Sequence, residues 1–333
     1  MANSLKITGS TALVGAKREC IKLRLVFLAL FTMVLSGGTA AYASSFVILP
    51  NFGSSITGDS NAATIEATIN SAIGIYEAAF TDPITVHITF NEMNTGLGAS
   101  STFFFNIPYT SYLAALTADA KTSNDATALA HLGAGPNNPV NGDLNINVKT
   151  ANLRAVGLDL LNPPSVDGTV GLNTSITNLS RGGPQDSSKY DLMAVTEHEI
   201  DEVLGLGSAL PNRPYSTIFP EDLFRYGSGG GRNFTTSGDN AYFSIDGTTD
   251  LARFNQDSGG DYGDWWSAGV HTPKVQDAFG TPGAQPNLGV ELTGLDVIGY
   301  DLAPVPEPAT VVLLGTGLAV SALRRRKARG ATA

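Results

Sequence analysis

Cysteine is almost absent from this chain: Cys20 is the one cysteine in 333 residues. No disulfide can form within the chain. Cys20 also falls in a segment expected to be cleaved, so the exported part has no thiol for nucleophilic or metal chemistry, and its stability must come from its core, from bound metal, or from both. Basic residues are scarce as well, 20 Lys and Arg against 30 Asp and Glu. Half of the 20 lie in the two end segments; residues 44–303 hold ten against 28, a net charge of −18. Such a surface repels nucleic acid and anionic lipid, which sets nucleic-acid binding aside, and it suits an exported domain that binds cations. No internal repeat is present, which argues against an ice-binding or adhesive ladder. The glycine run at 227–231 is not followed by a phosphate-binding lysine, and Asp257, Asp261 and Asp264 lack EF-hand spacing.

Both ends carry export features. Lys17, Arg18, Lys22 and Arg24 precede an apolar run at 25–35, and Ala41-Tyr42-Ala43 is a small-x-small cleavage site. Together they predict a signal peptide over residues 1–43. At the other end Val305-Pro306-Glu307-Pro308 precedes an apolar stretch at 309–323 and then Arg324-Arg325-Arg326-Lys327. The prolines break any helix continuing from the domain, the apolar stretch enters the bilayer and the basic cluster stays cytoplasmic. A plain tail anchor obeys the same physics. The order and spacing resemble the PEP-CTERM sorting signal of Gram-negative bacteria. That resemblance implies an exosortase-type sorting enzyme as partner, a transient inner-membrane anchor at 304–333, and then the cell surface or extracellular matrix.

With four histidines in the whole chain, His198-Glu199-Ile200-Asp201-Glu202 stands out. In H-E-x-x-H the first and fifth residues share a helical face and can hold one Zn²⁺, while the second serves as general base. Here the fifth residue is Glu202, and a carboxylate oxygen is also a normal zinc ligand at about 2.0–2.2 Å. Asp191 can cap this helix, Leu192, Met193, Val195, Ile200, Val203 and Leu204 supply buried positions, and Gly205 fits a C-cap. The plainer alternative is an amphipathic helix with a solvated acidic face.

The remaining pattern is α+β in order. A helix is expected at 62–80 with Asn61 as cap, and a half-buried strand over Ile84, Val86, Ile88 and Phe90 with His87 on its polar side. Short helices are expected at 110–120 and 124–132, with His131 at a helix C-terminus, and strands at 144–148 and 169–172. A strand over Tyr242-Phe243-Ser244-Ile245 and a last helix at 293–298, with Thr293 and Asp296 as a capping box, complete the expectation.

Several stretches resemble a family of exported bacterial metalloproteases that carry PEP-CTERM tails and a helix of the H-E-I-x-E-V-[LM]-G kind. They are His198 to Gly205, Asp167-Gly168-Thr169-Val170-Gly171, Asp222-Leu223-Phe224-Arg225-Tyr226, Phe243-Ser244-Ile245-Asp246-Gly247 and Gly260-Asp261-Tyr262-Gly263-Asp264-Trp265. The resemblance covers residues 60–302; family members often have arginine after the motif glycine, where this chain has Leu206. It implies a zincin-like fold over residues 44–303 and hydrolysis of a protein or peptide substrate, with Glu199 as general base and zinc on His198 and Glu202. A third ligand is needed. Extending the motif to H-E-x-x-H-x-x-G-x-x-H places it at Ser208, which is no zinc donor. Asp222, 20 residues after Glu202, has a separation like that of zincins whose third ligand is a later acid, and it is favoured; its competing role is an N-cap. Glu221 and His271 are the other candidates, and Tyr226 or His271 could stabilise an oxyanion. Calcium is a second candidate cofactor through Asp257, Asp261 and Asp264, although a solvated turn is the simpler reading. The functional alternative is a non-catalytic metal-binding or extracellular matrix protein on the same scaffold.

Overall fold

A computed structural model describes residues 46–158, 163–211 and 217–304. The signal peptide expected at 1–43 and the apolar segment expected at 309–323 lie outside them. Among the described residues no helix is long and apolar enough to cross a membrane.

The fold is a mixed α+β arrangement built on a four-stranded sheet. Val86, Ile88 and Phe90 alternate with polar neighbours in β2 (Thr85–Glu92), so the apolar set is buried and His87 is exposed. β1 (Val47–Phe52) runs parallel to β2, with Ile48 opposite Val86. They are joined through α1 (Ala62–Ala79), which buries Ile65, Ile69, Ile73 and Tyr76 at helical spacing. The Asn61 side chain does not cap α1; instead Asp59 Oδ1 accepts from the Asn61 N–H at 2.6 Å. β6 (Gly168–Leu172) lies parallel on the other side of β2, and β3 (Gly98–Thr102) closes the sheet antiparallel, in the order β1-β2-β6-β3.

β4 (Phe104–Pro108) and β5 (Asn145–Lys149) form an antiparallel pair, separated in the chain by α2 (Tyr109–Asp119) and α3 (Ser123–His131) and followed by α4 (Thr150–Ala155). His131 ends α3, with Nδ1 2.8 Å from the Thr127 carbonyl. β7 (Thr177–Asn178) and β8 (Tyr190–Asp191) lead into the long helix α5 (Leu192–Leu204). Beyond it β9 (Arg225–Gly227), β10 (Ala241–Phe243) and β11 (Ala252–Arg253) make a second, antiparallel sheet, and α6 (Val290–Val297) follows. α6 begins three residues before the expected Thr293. Glu291 Oε2 accepts from the Gly289 N–H at 2.8 Å, and Asp296, instead of closing a capping box, accepts from Thr122 and Asn124.

α5 lies against β3, β6 and α1. Glycine in the sheet is what lets it approach: a Cβ added at Gly168 would stand 2.5 Å from Val203 Cγ2. On the opposite side the Tyr76 hydroxyl donates to the Glu197 carbonyl at 2.7 Å and lies 2.9 Å from Asp201 Oδ1. Burial, with Glu291 adding, raises the Asp201 carboxyl well above its usual range, against the pull of the Tyr76 hydrogen bond. The C-terminus of α5 turns at Gly205, φ +156°, where a Cβ would come 2.6 Å from Ile298 Cδ1. Lys149 places its ammonium there, donating to the Glu202 and Leu206 carbonyls at 2.6 Å each, a cation at the negative end of the helix.

Candidate metal centre

α5 sets the site's first two groups. Asp191 Oδ2 caps the helix by accepting from the Ala194 N–H at 3.3 Å and is itself held by Arg181 Nε at 2.7 Å. Four residues apart on one face, His198 and Glu202 then point at the same space. A third group arrives from the loop after β11. One ligand atom each from His198, Glu202 and Asp264 lie within 4.8 Å of one another, and among the described residues no other group of three His, Cys, Asp or Glu does so.

The supports of these side chains suit metal binding. His198 Nδ1 is 3.0 Å from the Val275 carbonyl, an acceptor, so Nδ1 carries a proton and Nε2 is the nitrogen that faces Asp264 Oδ2, 3.8 Å away. Ser100 of β3 donates to Glu202 Oε2 at 2.6 Å. The Asp264 carbonyl accepts from the Asn255 N–H at 2.7 Å, and the next residue, Trp265, is buried with its indole N–H on Glu291 Oε1 at 3.0 Å. Arg225, also buried, donates to the Tyr262 and Asn255 carbonyls and lies 4.4 Å from the Phe254 ring centroid. Gly263 completes the delivery: a Cβ there would sit 2.6 Å from Gly207 Cα and 2.7 Å from the Ser208 N, so glycine at 263 lets this loop touch the exit from α5.

Asp222 is not brought to His198 and Glu202. It sits buried in the 3₁₀ turn Pro220–Phe224, where Ser208 donates to Oδ1 and the Ala209 and Phe219 N–H groups donate to Oδ2 at 3.0 Å each. Both oxygens are engaged in shaping the loop after α5, so the position expected for Asp222 is taken by Asp264. Glu221 accepts from the Gly207 N–H, and His271 pairs through Nε2 with Asp277 Oδ2 at 2.9 Å. Neither joins the cluster. Tyr226 stacks under Arg232, and neither it nor His271 lines the cleft described below. Asp257 accepts from the Gly259 N–H and does not gather with Asp261 and Asp264 into an oxygen-rich cage.

Glu199 lies beside the cluster and is nearly buried, with Oε2 lacking a hydrogen-bond partner. Gly98 makes room for it, since a Cβ there would run into the Glu199 carboxylate. Burial pushes the Glu199 carboxyl up to about 8, with His198 acting in the opposite direction, and likewise lifts Asp264 to about 7. For His198 burial opposes the charged form, yet Asp264, Glu199 and Glu202 together raise it to about 10. Glu199, Asp264 and His198 therefore hold on to protons that a divalent cation can displace. The donor set is one nitrogen and two carboxylates, which fits Zn²⁺; Ca²⁺ takes six to eight oxygens.

The cluster floors a cleft of about 580 Å³. One wall is β3, the outer strand of the sheet; the other is formed by residues 258–261 and 277–281. Sequence reasoning had noticed Asp264 as part of an acidic run before Trp265-Trp266, but nothing local ties that run to a helix 60 residues earlier.

Comparison with known proteins adds one finding. Neither a curated protein nor a solved structure matches the chain. Residues 304–327 match the PEP-CTERM protein-sorting motif, so the chain carries the signal recognised by exosortase and is an exported, cell-surface protein.

Proposed function

We propose that the exported domain, residues 44–303, is a zinc-dependent peptide hydrolase of zincin-like build. His198, Glu202 and Asp264 hold the metal and Glu199 is the general base. The observation that carries this reading is the convergence of those three donors beside a buried acid on the floor of an open cleft. Zinc would supply Lewis acidity toward the scissile carbonyl and the attacking water. The chain's own groups do the rest. Glu199, buried beside the three donors, takes the proton from water and returns it to the leaving amine. The outer strand β3 offers an edge along which an extended peptide can align, its backbone paired and its side chains alternating between walls. The Val275 carbonyl keeps His198 in the ligating tautomer.

With neutral His198 the two carboxylates cancel the charge of Zn²⁺. Such a centre is a weaker Lewis acid than one with two imidazoles, which favours slower hydrolysis or a higher pH optimum. The same donor set also favours the second reading, a metal-binding surface protein without hydrolysis. Zinc content measured beside peptide hydrolysis separates the two. The hydrolase reading expects about one zinc per chain, and Glu199→Gln should keep that zinc while losing about 10² or more in rate. Equal activity in Glu199→Gln would rule out this mechanism.

A further inference from the structure

Gln276 is held against the centre by its own backbone. Its N–H donates to Glu291 Oε1 at 3.2 Å and its carbonyl accepts from the Trp265 N–H at 2.8 Å, while the preceding carbonyl, Val275, takes His198 Nδ1. The side chain is fully buried. Its Nε2 lies 3.3 Å from His198 Nε2 and donates to Asp264 Oδ1 at 3.0 Å, and its Oε1 has no hydrogen-bond partner. Leaving a buried acceptor unpaired costs roughly 1–3 kcal/mol. The amide terminus is therefore committed to the two donor groups at the expense of its own oxygen.

Ligands around a tetrahedral ion with bonds of about 2.0–2.1 Å stand about 3.4 Å apart. The Gln276 terminus is at that spacing from His198 Nε2 and close to it from Asp264 Oδ1. The NH₂ group faces the Asp264 carboxylate and the His198 ring nitrogen. A cation bound by His198 Nε2 and Asp264 repels NH₂ and attracts the amide oxygen, and a half-turn about the last side-chain torsion exchanges the two without moving the backbone. We propose that Gln276 is the fourth protein ligand of the centre, through Oε1. It occupies the vertex that water and a substrate carbonyl require, and so latches the site until the side chain withdraws. This rests on the His198, Glu202 and Asp264 centre proposed above.

The latch makes zinc affinity and hydrolysis move in opposite directions, which a purely structural glutamine would not do. Zinc affinity by chelator competition, and the visible spectrum of the cobalt-substituted protein with and without azide, are measured at pH 8 for wild type, Gln276→Ala and Gln276→Glu. Gln276→Ala is expected to bind zinc at least about tenfold more weakly, to gain an azide-sensitive cobalt spectrum that wild type lacks, and to hydrolyse peptide faster. Gln276→Glu keeps the shape and supplies a charged oxygen, so it is expected to bind zinc about tenfold more tightly or better. If Gln276→Ala does not fold, Gln276→Glu decides alone. Equal affinities in the folded proteins, or an azide-sensitive wild type, overturn the latch while leaving the three-ligand centre standing. A wild type that binds no zinc overturns both.

Discussion

Gly98→Ala tests how the base is seated. An ideal Cβ at Gly98 would collide with the Glu199 carboxylate and stand 2.9 Å from Val195 Cγ1. The carboxylate can swing away, but Val195 is buried in α5 and cannot, so the strand and helix must part slightly. Overpacking of this kind costs about 1–3 kcal/mol. At about 3 °C per kcal/mol for a domain of this size, melting should fall by about 3–9 °C. Displacing Glu199 should cut hydrolysis by about 10² or more while leaving zinc content unchanged, because Glu199 is not a ligand. Gly133→Ala is the control, since a Cβ there meets nothing within 4 Å. Scanning calorimetry, metal analysis and a peptide assay read all three quantities. A Gly98→Ala protein with wild-type melting temperature and wild-type hydrolysis would refute the account of β3 packed on α5.

Further expectations follow from other parts of the chain. Asp264→Asn should lose most bound zinc with a small change in stability, whereas Asp222→Asn should keep its zinc and lose about 1–3 kcal/mol in denaturant unfolding, because its oxygens accept from Ser208, Ala209 and Phe219. Asp82 is buried, and burial, with Asp301 and Asp119 adding, raises its carboxyl to about 7 against the pull of the Asp301 N–H. Its folded pKa lies above the unfolded value of about 3.9, so its contribution to stability is complete below about pH 4 and lost as pH rises through 7; thermal melts of Asp82→Asn should decline less than wild type from pH 5 to 8. Intact-mass measurement of the exported protein should find a product starting near Ser44 and ending near Pro306, and retention of Arg324 to Lys327 would mean a permanent tail anchor instead.

The parts legible in the sequence are those governed by local pattern. α1 and β2 follow from helical and alternating spacing of apolar residues, and α5 follows from its Asp191 cap, its buried face and Gly205. The sorting signal is legible for the same reason, being a linear order of proline, apolar and basic residues. Local pattern misled where a nearby side chain competed. Asn61 caps nothing with its side chain and instead gives its own N–H to Asp59, and Glu291 starts α6 ahead of Thr293. The third member of the cluster was not legible because Asp264 is placed by contacts distant in sequence, through Gly207, Arg225, Asn255 and Glu291. Asp222 has a plausible spacing from Glu202, but spacing says nothing of Ser208 and two backbone N–H groups that already claim it. Gln276 carries no ionisable group and gives no motif, so only its position between His198 and Asp264 marks it.

The most direct test of the central claim is anomalous scattering at the zinc edge from crystals of the zinc-loaded protein. The account expects a single strong peak bonded by His198 Nε2, a Glu202 oxygen and an Asp264 oxygen, with Glu199 adjacent and unbonded. A peak at Asp222 and Glu221, or no peak on α5 at full zinc loading, would contradict it.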